Sequence, residues 1–244
     1  MFEFLVYLFN TFLYRPLFNF LILIYYYLPG HDFGVAIIVL TLVVRLILYF
    51  PSLKSIKSQR LLSELQPKIV ELQKKHEGNK EKQAKATLEM YQKAKVSPFS
   101  GCLPALIQLP ILIALYRVFW QGLKTEELVN LYSFIPNPGL IKASFLGLLD
   151  LTKPSVILAV IAGILQFVQT KTMTPQAKRN ENKKPDFTLA MQKQMLYIFP
   201  VFTVFILLRL PAALGFYWAI SSLFSIIQQY LVFKKIKPNK ISLC

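Results

Sequence analysis

One arginine, Arg45, stands in a run from Gly34 to Phe50 that is otherwise broken only by Thr41. An arginine in a membrane span costs about 2.5–3.5 kcal/mol on insertion scales and persists only where water, a partner or a function offsets that cost. No Asp or Glu occurs in this run or in the four other long apolar runs, so no fixed salt bridge awaits the guanidinium there. The charge is therefore hydrated, hydrogen-bonded, or open to an acidic group that passes it. A blander reading stands beside this one: Arg45 precedes Phe50 by five residues, about 7.5 Å of helix rise, so its long side chain can instead snorkel toward the headgroups.

Thr41 lies one helical turn before Arg45 on the same face, and Gln108, Gln166, Gln169, Tyr217, Trp218, Ser221, Gln228 and Gln229 carry hydrogen-bonding groups into the other apolar runs. Such groups either line one wet cavity or serve as glue between helices. Catalytic and metal chemistry has no comparable support. His31 and His76 sit in separate loops, Cys102 and Cys244 lie far apart without a CxxC pattern, and the apolar runs hold no His, Asp or Glu to serve as a base. There is no GxxxxGK[ST] phosphate loop, and no cofactor is expected.

Helices in a bilayer must position these residues. With 55% hydrophobic residues and a mean hydropathy of +0.46, the 244-residue chain is too apolar for a soluble domain. The net charge of +16 does not point to nucleic acid as a specific ligand, because the basic residues cluster between apolar runs. The expected fold is an all-α polytopic membrane protein with five transmembrane helices. Residues 31–51 hold the first span, Gly34 to Phe50, which Pro51 stops; residues 99–120 hold the second. Residues 155–172 hold the third, Ser155 to Thr170, and residues 194–233 the fourth, Gln194 to Leu208, and fifth, Ala213 to Phe233.

Between the first two spans, residues 52–98 place Leu61, Leu65, Ile69, Leu72, Ala84, Leu88 and Tyr91 at helical spacing around Gly78-Asn79. That pattern predicts a helical hairpin outside the membrane, its first arm bent at Pro67, which either packs on itself or offers a platform to a partner. Residues 121–154 read as a loop with a short interfacial helix, residues 173–193 as a polar loop and residues 234–244 as a basic tail. Eleven Lys and Arg fall between Lys54 and Lys95, six between Lys171 and Lys193, and four between Lys234 and Lys240. The positive-inside rule makes these three segments cytoplasmic, with the first span starting outside and the carboxyl terminus inside. Residues 1–30 lack the marks of a cleaved leader and are expected to persist. Because Arg15-Pro16 falls mid-stretch, they are predicted to form an amphipathic helix on the outer interface instead of a sixth span.

Short strings in a fixed order lead further: Tyr14-Arg15-Pro16-Leu17, Phe33 to Ile38, Thr41 to Arg45, Leu65-Gln66-Pro67-Lys68, Gly101-Cys102-Leu103-Pro104 with Gln108-Leu109-Pro110, Met173-Thr174-Pro175, and Leu214 to Trp218 followed by Gln228-Gln229. In this order, across nearly the whole chain, they resemble the YidC-type (Oxa superfamily) membrane protein insertases, in a minimal bacterial core form. The resemblance implies a hydrophilic groove among the five helices, open to the cytoplasm and to lipid but closed outside. Its arginine falls at Arg45 and its polar positions at Thr41, Gln169 and Trp218, with Tyr217 adjacent; Gln108, Gln166 and Ser221 complete the expected substrate-contacting set. It further implies that spans three and five form a lipid-facing slide and that the hairpin receives substrate. Nascent membrane proteins and membrane lipids are the implied partners, with the ribosome, the signal recognition particle receptor and the Sec translocon as further ones. The implied place is the bacterial plasma membrane and the implied activity is insertion and folding of new membrane proteins without ATP or covalent catalysis. The alternative is a small-solute transporter or channel with Arg45 as its anion site, which calls for two gates and internal symmetry. No such symmetry is evident in the chain.

Overall fold

The computed structural model describes residues 2–97, 103–121, 125–173 and 187–235, with side chains over 3–97, 106–121, 126–173 and 194–234. In chain order the helices are α1 (Phe2–Phe9), a π turn (Asn10–Tyr14), α2 (Arg15–Tyr27), α3 (Phe33–Ile47), α4 (Tyr49–Lys75), α5 (Lys80–Lys93) and α6 (Leu103–Trp120). A 3-10 turn (Thr125–Asn130) and two short strands, β1 (Ser144–Phe145) and β2 (Leu149–Asp150), precede α7 (Val156–Met173), α8 (Phe187–Leu207) and α9 (Ala212–Lys235). The expected Gly101-Cys102 and Thr174-Pro175 features, most of the 173–193 loop and the tail beyond Lys235 lie outside the described residues.

Local chemistry sets the helix ends. Asp32 caps α3, its Oδ1 accepting from Val35 N at 2.8 Å, and Asn79 caps α5, its Oδ1 accepting from Lys82 N at 3.0 Å. Gly78, at φ +94°, makes the turn between α4 and α5. The first span ends earlier than its apolar run implies: α3 stops at Ile47 and α4 leaves at 64°. Pro51 falls in the first turn of α4, where backbone amides lack helical partners anyway, so it opens that helix instead of closing the span. Pro67 lies inside α4, which runs on to Lys75; the described sharp bend here is at Leu48.

Helices α4 and α5 share a small core of Leu65, Ile69 and Val96, with Leu61, Leu62, Met90, Tyr91 and Ala94 around it. Gln83 Nε2 donates to Gln73 O at 2.8 Å across the pair. Leu88, expected on the inward face, is instead half exposed, because the pairing face runs through Met90, Tyr91 and Ala94.

A larger core joins α2, α3, α6, α7 and α9. Three helical stretches, Glu3–Tyr27, Val156–Met173 and Ala212–Lys234, are long and apolar enough to cross a membrane; α3 with α4 passes the same test as a bent pair. Leu106–Trp120 and Gln194–Leu207 are shorter apolar helices. The amino-terminal stretch is one helical run that buries Tyr14, Phe18, Leu21, Ile22 and Tyr25 while Phe4, Leu5, Tyr7 and Phe12 stay exposed. Its π turn covers the five residues immediately before Arg15 and does not end it. The loop from 121 to 154 shows no α-helix among its described residues. In place of the expected interfacial helix it holds the 3-10 turn and a two-stranded antiparallel ribbon, Ser144 opposite Asp150 and Phe145 opposite Leu149.

Glycines let the elements approach. A Cβ on Gly34 would lie 2.3 Å from the Phe145 ring, and Phe145 also meets Phe216 with centroids 4.8 Å apart. A Cβ on Gly163 of α7 would lie 2.3 Å from Val204 Cγ2 of α8. Overpacking of this kind costs about 1–3 kcal/mol, so Gly163→Val is expected to lower the thermal unfolding midpoint in nanodiscs. Adding Val204→Ala is expected to recover most of the loss; an unchanged midpoint in Gly163→Val would mean that α7 and α8 are not in this contact.

Candidate functional site

Helix α9 carries Tyr217, Ser221, Ser225 and Gln228 at spacings of four, four and three, which keep them on one face, and all four are buried. A polar row of this kind inside an apolar helix is expensive unless its groups are bonded. Three of its members bond other elements. The Tyr217 hydroxyl accepts from Gln108 Nε2 of α6 at 2.7 Å. Ser221 Oγ accepts from Arg45 Nε of α3 at 2.8 Å and from Arg45 Nη2 in a second, closer contact. Gln228 bridges the bend at Leu48, its Oε1 accepting from Ser52 Oγ at 2.9 Å and its Nε2 donating to Tyr49 O at 3.3 Å. The fourth, Ser225, donates to Ser221 O at 3.0 Å within its own helix.

The guanidinium of Arg45 thus turns inward, to α9. Its acceptor is a neutral hydroxyl; among the described residues no carboxylate pairs with it. Hydrogen bonds to a charged group contribute about 1.5–3 kcal/mol, the same order as the 2.5–3.5 kcal/mol cost of inserting an arginine. The side chain is only partly buried, so the charge is held but neither neutralised nor sealed off. Chemically, it can attract and hydrogen-bond an anionic or carbonyl oxygen.

Of the eight residues singled out in the sequence, Arg45, Ser221, Tyr217 and Gln108 come together in this row. The other four do not join it by any described hydrogen bond. Thr41 is fully buried one turn before Arg45, and its hydroxyl donates to Ile37 O of its own helix at 2.6 Å. Gln166 is buried in α7 with neither its Nε2 nor its Oε1 bonded. Gln169 lies further along α7, partly buried, its backbone carbonyl accepting from Thr172 Oγ1 at 2.8 Å. Trp218 is partly buried against the main core. Thr41 and Gln166 are both buried, and neither side chain bonds another helix among the described residues.

Several polar residues escaped the sequence reading. Thr172 Oγ1 bonds Gln229 Oε1 in a close contact, and Arg60 of α4 donates through Nη1 to Phe233 O at 3.0 Å, sits 5.3 Å from the Phe233 ring centroid and pairs with Glu64 at 3.1 Å. The cation of Arg60 thereby meets the carboxyl end of α9, where the helix dipole favours positive charge. Arg117 is a second arginine inside an apolar helix. It donates to Asn10 Oδ1 at 2.7 Å and lies 4.6 Å from the Tyr14 ring centroid. Tyr14 in turn donates to Glu127 Oε2 at 2.9 Å, and Asn19 clamps the loop by accepting from Tyr132 N at 2.7 Å and donating to Asn130 O at 3.1 Å. The available signal for Arg117 was the one used for Arg45, a cation in a run without carboxylates.

A sequence profile of the 60Kd inner membrane protein family matches residues 24–240. The chain belongs to that family, the YidC-type insertases. A relative from Fusobacterium nucleatum, named membrane protein insertase YidC, is 33% identical over 204 residues, 84% of this chain and 87% of the relative. Another of that name from Oceanobacillus iheyensis is 34% identical over 215 residues, 86% of this chain and 78% of the relative. A solved structure described as an active YidC insertase with the first transmembrane domain resolved superposes with a TM-score of 0.57 at 30% identity, over 89% of this chain; the chain spans 46% of that longer one. With its apolar helices, this YidC-type chain is a multi-pass membrane protein.

If Ser221 holds Arg45, Ser221→Ala should cost about 1.5–3 kcal/mol of stability in nanodiscs, and much less in an Arg45→Met background. Ser225→Ala, whose hydroxyl serves only its own helix, should cost less than Ser221→Ala. Equal losses in the two backgrounds would dissolve the proposed bond.

Proposed function

We propose that this chain inserts newly made membrane proteins into the bilayer and helps them fold, using the Arg45 end of the polar row as its receiving site and no ATP. The observation that carries this reading is a partly buried guanidinium bonded to a neutral hydroxyl, with no described carboxylate to neutralise it. A substrate's short hydrophilic segment that reaches this place keeps its polar groups solvated or bonded and avoids the cost of bare hydrocarbon. Arg45 attracts acidic residues in that segment, more strongly than a surface charge does because the surroundings are less polarisable than water. Partition of the substrate's apolar segment into lipid, at roughly 25 cal/mol per Å² removed from water, then drives release.

In this reading α3, α6, α7, α8 and α9 are the five spans around a groove that opens to the cytoplasm and to lipid, and α4 with α5 is a cytoplasmic hairpin that meets the substrate first. The basic segments set this orientation, with the carboxyl terminus inside. The amino-terminal helix lies on the outer interface: Arg15 is exposed, 5.5 Å from the Tyr132 ring centroid, and in a sixth span it would face lipid. The lipid-facing slide lies on α7 and α9, the third and fifth spans. It is supported by the apolar residues these helices expose, Val156, Ile157 and Ile164 on α7 and Leu223, Ile227 and Leu231 on α9. Nascent membrane proteins and lipids are the partners; the ribosome, the signal recognition particle receptor and the Sec translocon are candidates for delivery to the hairpin and tail. A solute transporter with Arg45 as an anion site calls for internal symmetry, which the sequence does not show.

Proteoliposomes that contain only this protein test the reading with a small single-span substrate bearing an acidic outer segment. Arg45→Lys is expected to retain much of the insertion and Arg45→Glu to block it. Equal insertion by all three proteins would refute charge attraction, and solute flux without peptide insertion would favour the transporter.

A further inference from the structure

The turn between β1 and β2 presents leucines where a soluble turn would carry polar residues. Leu146 and Gly147 both have positive φ, +51° and +68°. That conformation suits Asn-Gly, and a leucine there is strained. Leu146 and Leu148 are nevertheless 63% and 89% exposed. An exposed, strained leucine in a tight turn gains nothing in water.

The turn is fixed to the starts of α3 and α9. Leu146 N donates to Asp32 Oδ2 at 2.5 Å, and Asp32 also caps the first span through Val35 N. Phe145, next to the tip, wedges against Gly34, the second residue of α3, and Phe216, about one turn into α9. Leu151 N donates to Ala143 O at 2.8 Å, and Ala213 N donates to Leu151 O at 3.0 Å, which tie the ribbon to the start of α9. The tip therefore sits beside the ends of apolar helices whose outward residues, such as Val156 and Ile157 of α7, are exposed. Exposed Lys142 and Lys153 flank the ribbon, as snorkelling cations do at the phosphate level.

We propose that this turn is a lipid-interface anchor: Leu146 and Leu148 enter the leaflet at which the first span begins, about 5–10 Å into the headgroup and acyl boundary. In the orientation proposed above that leaflet is the outer one, but the anchor does not depend on the orientation or on the insertion activity. Its occupant is the bilayer, because the apolar tip is continuous with the lipid-facing surface and is flanked by lysines that suit phosphate headgroups. The anchor holds the ends of α3 and α9 at one depth, so the span that carries Arg45 cannot slide along the membrane normal.

The test uses the full chain with Cys102→Ser, Cys244→Ser and Leu148→Cys, labelled with an environment-sensitive fluorophore and reconstituted in phosphatidylcholine–phosphatidylglycerol vesicles. The expected result is a blue-shifted emission, stronger quenching by nitroxide near the headgroup than by nitroxide near the chain end, and protection from iodide. Water-like emission with free iodide quenching would overturn the proposal. So would disulfide-linked dimers of the Leu148→Cys protein that exclude the lipid quenchers, since the tip would then be an interface between copies of this chain.

Discussion

A single cation held by neutral dipoles governs this molecule. Arg45 has to enter the membrane region on α3 without a carboxylate, so some other helix must bring it an acceptor. That helix is α9, and the demand explains why an apolar, central helix bears a buried polar face. Once Ser221 and Tyr217 occupy that face, α9 cannot rotate without breaking bonds to α3 and α6 together. The same face continues to Gln228, which spans the bend at Leu48, so the direction in which α4 leaves the membrane region is coupled to the helix that holds the arginine.

The two ends of the bundle are closed by different chemistry. At the end where α3 begins, aromatic rings, short amide clamps and a carboxylate meet in a compact knot: Arg117 against Tyr14, Tyr14 on Glu127, and Asn19 on the backbone of residues 130 and 132. Phe145 and Gly34 seal the neighbouring seam by contact too close for a side chain on the glycine. At the other end, long and flexible side chains make the links, Arg60 to the last turn of α9 and Gln228 to the start of α4.

Much of this was legible in the sequence because it rests on period and composition. The apolar runs, the Gly78-Asn79 turn and Arg45 are one-dimensional signals: the structure has helices in the runs, a turn at Gly78-Asn79 between α4 and α5, and Arg45 within α3. The polar row on α9 was half visible: Tyr217, Ser221 and Gln228 stood out as polar groups, but their shared face becomes a site only through Gln108, Arg45 and Ser52 from three other elements. The break at Leu48 was misplaced because a proline was read as a stop, whereas a proline in the first helical turn is a start. The ribbon at residues 144–150 was missed for the opposite reason: its two-residue strands are too short to show alternation, and its stability comes from Phe145 reaching Gly34 and Phe216. Gln166 and Thr41 show the limit most clearly. Polarity in a span announces that a group must be accommodated, not which side of the helix accommodates it.

The neutrality of the acceptor is itself a design constraint. Had α9 offered an aspartate in place of Ser221, the pair would have satisfied both charges, and burying such a pair gains little because desolvation cancels most of the attraction. It would also have left no net field at the site. A serine supplies enough hydrogen bonding to bring the cost of the arginine near balance, and because a hydroxyl carries no charge it leaves the full unit positive charge in place. In the proposed reading, an acidic or carbonyl-rich segment that approaches meets a cation whose neutral partner it can displace, instead of one that must first be pulled from an ion pair. On that reading the neutrality of Ser221 lets Arg45 be both a structural tie between α3 and α9 and a reversible binding group.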